Sequence, residues 1–267
     1  MANERDMATT HPLQHPEMTR CLAVVPAYNE AATVGRVVRS IHDALPFFDV
    51  LVVNDGSTDT TAAEASEAGA VVLTHPYNLG IGGAVQSGFI YALENDYDYL
   101  VQVDGDGQHE PRHVADLMQE MDRHPNVDMV CGSRFLGQDF EYPAPVSRRT
   151  GIHIFAFLLS RIVGQRISDP TSGFRLYNRR AITVFARDYP HDYPEVEAVL
   201  VLHHHRLRMR EVPVRMYLRE GGLSSITSGK SAYYMIKVML AIFVGLFRAR
   251  PLPEPGGEAP VAAEHGI

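Results

Sequence analysis

Short apolar runs alternate with amphipathic stretches along the first half of the chain. Residues 21–25 (CLAVV) form an apolar run closed by polar residues. In residues 31–45, Val34, Val37, Val38 and Ile41 recur at the spacing of a helix with one buried face. Residues 50–53 form a second strand-like run, closed by Asn54, Asp55 and Gly56. The pattern then predicts a helix over 58–68, a strand over 70–74, a helix over 82–94 and a strand over 99–103. A helix over 112–121 and a strand ending at 129–131 follow. This order predicts an α/β domain, a mainly parallel twisted sheet with helices on both faces. Ligands of such sheets bind beyond the carboxyl ends of the strands. Farther on, RMREVPVRMYL alternates like an edge strand carrying positive charge.

The ends of the chain read differently. Residues 1–20 are polar, lack an apolar core of signal-peptide type, and are expected to form a flexible leader. Residues 21–228 form the folded domain. Residues 229–250 are expected to form an apolar helix, with Lys237 as the one charge within SAYYMIKVMLAIFVGLF. A bilayer-spanning helix needs about 20 apolar residues, so this stretch is borderline. It could lie on a membrane surface with Lys237 snorkelling, pack on the domain or a small membrane-protein partner, or span. Residues 251–267, rich in Pro, Gly and Ala, are expected to be a disordered tail.

Composition narrows the function classes. The chain has 267 residues, 45% hydrophobic and 21% charged, as expected of one globular domain. A net charge of -8 argues against a general nucleic-acid binder. Cys21 and Cys131 sit in strand-like runs and read as buried thiols, which suits a reducing cytoplasm. His203, His204 and His205 cannot all face one way and read as surface or partly buried residues.

Three polar clusters follow strands directly. In Asp104-Gly105-Asp106-Gly107-Gln108-His109, two carboxylates one residue apart at a strand end can hold one hard divalent cation, Mg2+ or Mn2+. The glycines allow a tight turn and the close approach of a phosphate. A plain turn is the other reading. In Asn54-Asp55-Gly56-Ser57-Thr58-Asp59, Ser57 or Thr58 is expected to cap the next helix, with Asp59 near its positive end. Asp55 is left over, and its carboxylate could accept hydrogen bonds from a nucleobase or ribose. Asn78-Leu79-Gly80-Ile81-Gly82 opens a helix, where backbone amides favour anions.

Together these clusters resemble glycosyltransferase family 2, which has the GT-A (Rossmann-like) fold. The matching residues begin with Pro26-Ala27-Tyr28-Asn29-Glu30 and continue through the three clusters to Glu110-Pro111. Gly132-Ser133-Arg134 and Asp169-Pro170-Thr171-Ser172-Gly173-Phe174-Arg175 resemble the dolichyl- and polyprenyl-phosphate sugar synthase branch in particular. The similarity runs from about residue 21 to residue 225. It implies an inverting, metal-dependent enzyme that moves a hexose from a nucleotide-diphosphate sugar to polyprenyl phosphate. The place implied is the cytoplasmic face of the membrane, with peripheral attachment. The implied donor-binding residues are Pro26, Ala27, Tyr28, Glu30, Asp55, Gly80, Gly82, Asp104 and Gly105. Asp104, Asp106 and Gln108 would surround the metal. Arg134 and Arg175 lie where that branch places basic residues near phosphate, and both count as candidate catalytic residues with Asp104 and Asp106. Arg148, Arg149, Ser172 and Arg219 would meet the acceptor.

The chain also departs from the family. Asn54 stands where Asp is frequent, and Tyr193-Pro194-Glu195-Val196-Glu197 replaces an aromatic-Gln pattern. Glu197 sits nearest the usual acidic position. If the acceptor is instead a hydroxyl of a glycan, Glu197 or Glu195 could be its general base. A phosphate acceptor is already anionic and hardly needs one.

Overall fold

The computed structural model describes residues 19–136 and 146–216, together with Lys237 and Leu240. Of residues 146–149 only the backbone is described. The apolar strands are central because both their faces are covered. In β1 (Cys21–Ala27) all seven residues are buried. Leu22 and Val24 enter one apolar cluster, with Phe89 and Ala92 of α3 (Gly80–Glu94). Cys21, Ala23, Val25 and Ala27 enter the other, with Val34, Val37, Val38 and Ile41 of α1 (Val34–Ala44). The period-two alternation of a strand thus serves two cores at once, so the run carries no polar face.

The remaining elements in chain order are β2 (Phe48–Asn54), α2 (Thr61–Glu67), β3 (Val71–Thr74) and, after α3, β4 (Tyr99–Gln102). A 3-10 turn, Pro111–His113, leads into α4 (Val114–Arg123). Then come β5 (Met129–Ser133), α5 (Val146–Val163), β6 (Arg175–Asn178), α6 (Arg179–Arg187), α7 (Pro194–His204) and β7 (Met209–Pro213). The strands lie in the order β3-β2-β1-β4-β6-β5-β7. The chain steps outward from β1 to β3, then crosses to β4 on the other side of β1. The ligand crevice of an open α/β sheet opens at such a reversal.

Parallel pairing holds for β1 with β2 and β4, β2 with β3, and β5 with β7. The exception is β6, antiparallel to both β4 and β5. A four-residue strand adjoining a turn-rich motif carries no periodic signal. Because β6 runs backwards, its beginning and the preceding 169–174 segment lie at the end of the sheet where β4 and β5 finish. As expected, β7 is the edge strand and α1 buries its predicted stripe.

Capping at α2 differs from the expectation. The helix starts at Thr61, and the Asp59 carboxylate accepts the Thr61 amide at 3.0 Å. Burial would raise the Asp59 carboxyl, but its hydrogen bonds from Thr61 and Ala31 win and lower it. Ser57 and Thr58 turn back to Asn29 instead.

His203 is exposed and His204 and His205 are partly buried, at the end of α7. Lys237 and Leu240 are helical and exposed. The rest of the predicted apolar helix, the leader up to residue 18 and the tail 251–267 lie outside the described residues. Among the described residues no helix is long and apolar enough to cross a membrane.

Candidate active site at the carboxyl edge of the sheet

The loops after β1, β2 and β4 form one hydrogen-bonded unit. Asn29 has φ of 54°, the left-handed conformation that asparagine tolerates. Its amide donates to Ser57 Oγ at 2.9 Å, and its side-chain oxygen accepts the Thr58 amide at 2.9 Å. The Asp55 amide donates to the Ala27 carbonyl at 2.9 Å. Thr33 Oγ1 donates to the Gly105 carbonyl at 2.8 Å, tying α1 to the turn after β4. Pro26, Ala27 and Gly105 are buried in this unit, Glu30 is partly buried, and Tyr28 is 48% exposed.

Asp55, expected to hold the nucleotide, is buried and bonded within the chain. Oδ1 accepts the Leu79 amide at 2.8 Å and lies 2.8 Å from His75 Nδ1, while Oδ2 accepts the Gly80 amide at 2.9 Å. A carboxylate can only accept, so Nδ1 of His75 carries the proton. His75 Nε2 in turn lies 2.9 Å from Ser87 Oγ on α3. The amino end of α3 therefore already holds an anion, the protein's own. Gly80, expected to bind the donor, thus spends its amide on Asp55 in this structure. Gly80 has φ of +84°, which aims its amide inward at Asp55. At Gly82, also expected to bind the donor, a Cβ would lie 2.6 Å from the Pro190 carbonyl, so this glycine permits close packing.

Asp104 stands just beyond β4 with its side chain 33% exposed. Its amide donates to His109 Nδ1 at 3.0 Å, which leaves the proton on Nε2, 3.6 Å from Asp104 Oδ2. Burial pushes His109 down to about 4, so the ring is neutral. Asp106 Oδ1 accepts the Gln108 amide at 3.0 Å, closing the turn; both residues are partly exposed. Gly173 walls the other side of Asp104. A Cβ on Gly173 would lie 3.3 Å from each carboxylate oxygen. Two partly open carboxylates beside a glycine wall form a hard-oxygen donor set, which suits a divalent cation that keeps other ligands for phosphate oxygens. Among the described residues no cage of three or more His, Cys, Asp or Glu side chains is present.

The two arginines expected near phosphate are engaged with the protein. Arg134 grips Asp169 through two bonds of 2.7 Å and also donates to Thr171 Oγ1 at 2.7 Å. Its planar guanidinium matches the carboxylate fork, and both side chains are nearly fully buried. Arg175 is buried and donates to the backbone carbonyls of Ser172, Pro170 and Glu195, so it staples the 170–172 turn to α7. Ser172 is buried as well, its hydroxyl accepting the Phe174 amide at 3.3 Å. Arg134, Arg175 and Ser172 thus shape the wall around Gly173.

Glu197 accepts the Tyr193 amide at 3.1 Å and so caps α7. Glu195 is partly buried, within electrostatic reach of Asp104 and Arg175. Burial raises its carboxyl against the pull of Arg175, and the Asp104 carboxylate adds to the rise. Arg148 and Arg149 lie in the first turn of α5, with side chains outside the described residues; Arg219 lies outside them altogether.

Sequence reading missed His75, Thr33, Gly173 as a wall, and Glu211. Glu211 on β7 accepts the Ser168 amide at 2.8 Å and the Asp169 amide at 2.9 Å, holding Asp169 for Arg134. Gly173 lay within the 169–175 motif and Glu211 within the alternating run after Arg208, whereas His75 and Thr33 carried no signal.

Comparison with known proteins places this architecture. A family model described as Glycosyl transferase family 2 matches residues 22–185. The chain is 33% identical to an undecaprenyl-phosphate mannosyltransferase of Micrococcus luteus, over 79% of this chain and 88% of that protein. It is 30% identical to a polyprenol monophosphomannose synthase of Mycolicibacterium smegmatis, over 87% of this chain and 89% of that protein. Glucosyl-3-phosphoglycerate synthase of Mycobacterium tuberculosis, solved with Mn2+, UDP and glucosyl-3-phosphoglycerate, has the same fold. It superposes with a TM-score of 0.65 at 18% identity, covering 90% of this chain and 82% of that one. With the strand-end clusters of its sequence joined in one site and the family model spanning that site, the chain belongs to glycosyltransferase family 2.

Proposed function

We propose that the protein is an inverting glycosyltransferase that moves a hexose from a nucleotide-diphosphate sugar to a polyprenyl phosphate. The observation that carries this is the relatives: two proteins named for polyprenyl-phosphate mannose transfer align with this chain over 88% or more of their own length. The acceptor phosphate oxygen attacks the anomeric carbon, the bond to the diphosphate oxygen breaks, and the nucleoside diphosphate leaves with the electron pair. Asp104 and Asp106, with Gln108 beside them, would hold Mg2+ or Mn2+. Such a cation supplies positive charge that stabilises the departing diphosphate. Pro26, Ala27, Tyr28 and Glu30 bind the nucleotide on the β1 side, and Gly105 lets the diphosphate approach. Arg134 and Arg175 act by fixing the 169–175 wall against Asp104. Glu197 accepts the Tyr193 amide at the start of α7, and an acceptor that brings its own charge needs no base there.

The acceptor is a lipid, so the reaction belongs at a membrane surface, with the apolar stretch around Lys237 as the means of attachment. The test is a thermal-shift panel of UDP, GDP, dTDP and CMP with and without Mn2+, followed by transfer of labelled sugar to polyprenyl phosphate in detergent. Ligand bound to the folded state raises the midpoint. A metal-dependent shift with one diphosphate and label on the lipid support the assignment. A shift with label only on a hydroxyl acceptor would overturn the lipid acceptor and leave the donor site.

A further inference from the structure

The chain exposes a group of large apolar side chains beside the donor site. Tyr77 is 66% exposed, Leu79 46% and Ile81 41%, all on the turn that opens α3. Tyr28, 48% exposed, follows β1 nearby. The turn is rigid underneath. Asp55 accepts the Leu79 and Gly80 amides, His75 braces Asp55, and Ser87 braces His75. Gly56 presses on the Tyr77 backbone, where a Cβ would meet the carbonyl carbon at 2.6 Å. The backbone next to Tyr28 and the backbone of Tyr77 thus both meet the Asp55–Gly56 segment, the first through the Asp55 amide to the Ala27 carbonyl and the second against Gly56.

The Asp55 carboxylate fills the anion position at this helix end, and what the turn shows outward is apolar and aromatic. Its complement is a flat, weakly polar ring and not a phosphate. We propose that Tyr77 is a binding residue for the nucleobase of the donor, stacking on it from the face opposite Tyr28, with His75 and Asp55 as the internal brace. This rests on the donor site proposed above and adds its second wall.

The chain contains no tryptophan, which gives a clean probe. Tyr77→Trp creates a protein with one indole at the proposed contact. Titration with the nucleoside diphosphate that stabilises the wild type, in Mn2+, is expected to quench that indole saturably, because a stacked base is in direct contact with it. Tyr77→Ala is expected to weaken nucleotide binding about tenfold or more by calorimetry, since a base–aromatic stack is worth about 1–3 kcal/mol. Tyr77→Phe is expected to bind like the wild type. Wild-type binding together with an unquenched indole and an unchanged Tyr77→Ala would overturn the role of Tyr77 alone. No nucleotide binding by the wild type would overturn the donor site itself. Tyr77 is surface-exposed, so these variants are expected to keep the wild-type melting temperature, and a melt of each shows whether it is folded.

Discussion

Gly173 lies so close to Asp104 that a single methyl group on it would sit 3.3 Å from both carboxylate oxygens and 3.1 Å from Gln102 Nε2. The glycine is thus a spacing element for the acid that follows β4. Its backbone is in ordinary conformational space, so Gly173→Ala is expected to fold. Asp104 would have to shift by a few tenths of an ångström. Activity is expected to fall roughly ten- to hundredfold, as small misplacements of reacting groups do, with the melting temperature little changed. Steady-state kinetics against Mn2+ concentration, beside a thermal melt, checks this.

Asp106→Ala removes a partly exposed carboxylate that accepts the Gln108 amide in the turn after β4. Activity is expected to drop about a hundredfold or more, the cost of losing charge stabilisation at a leaving group. The Mn2+-dependent part of the nucleotide thermal shift should disappear as well. Near wild-type activity with saturating metal would remove Asp106 from the metal site.

The strand ends could be found from sequence because each is an apolar run stopped by Asp, Asn and Gly, and the stop residues are the chemistry. Asp104 and Asp106 declared themselves in that way. Arg134 and Arg175 did not, because sequence shows a cation and never its partner. The carboxylate that takes Arg134 lies 35 positions away, and Nε and one terminal nitrogen of Arg175 go to backbone carbonyls. The internal bonding of Asp55 was hidden for the same reason: its three hydrogen-bond partners, at His75, Leu79 and Gly80, come from the segment after β3 and the start of α3. β6 was too short to show a period.

Asp169→Asn leaves Arg134 buried without its counter-charge. Breaking one side of a buried ion pair costs about 3–5 kcal/mol, whereas replacing both partners with apolar residues of similar volume costs less. Urea unfolding of Asp169→Asn and of an Arg134→Met/Asp169→Leu double variant is expected to show that order. Activity should be low in both, since each loosens the wall that carries Gly173.

Asp55→Asn places an amide group among three donors. At least one donor then loses its acceptor, and leaving a buried donor unsatisfied costs about 1–3 kcal/mol. The urea midpoint is expected to fall accordingly. Nucleotide affinity should fall with it, because the Tyr77–Ile81 turn loses its brace.

Glu211 gives a pH signature. Burial raises its carboxyl above the ordinary value of 4.5, against hydrogen bonds from Asp169 and Ser168 that lower it. The folded state therefore holds that proton more tightly than the unfolded state. Stability from this group is fully present below about 4.5, and is lost as pH rises through the raised folded value. Melting temperatures from pH 4 to 7 should show a decline in the wild type relative to Glu211→Gln, and parallel curves would contradict it.

The reversed direction of β6 has a consequence for assembly. β4 and β5 are made in sequence order but are not neighbours, and the slot between them waits for a strand made later. Asp104 and Gly173 meet only when that strand slides in, a pairing between distant parts of the chain and hence a slow one to close. Competence for chemistry is then among the last properties the nascent protein acquires. A chain with β1 to β3 already packed would look folded by its core and still present Asp104 with one wall missing.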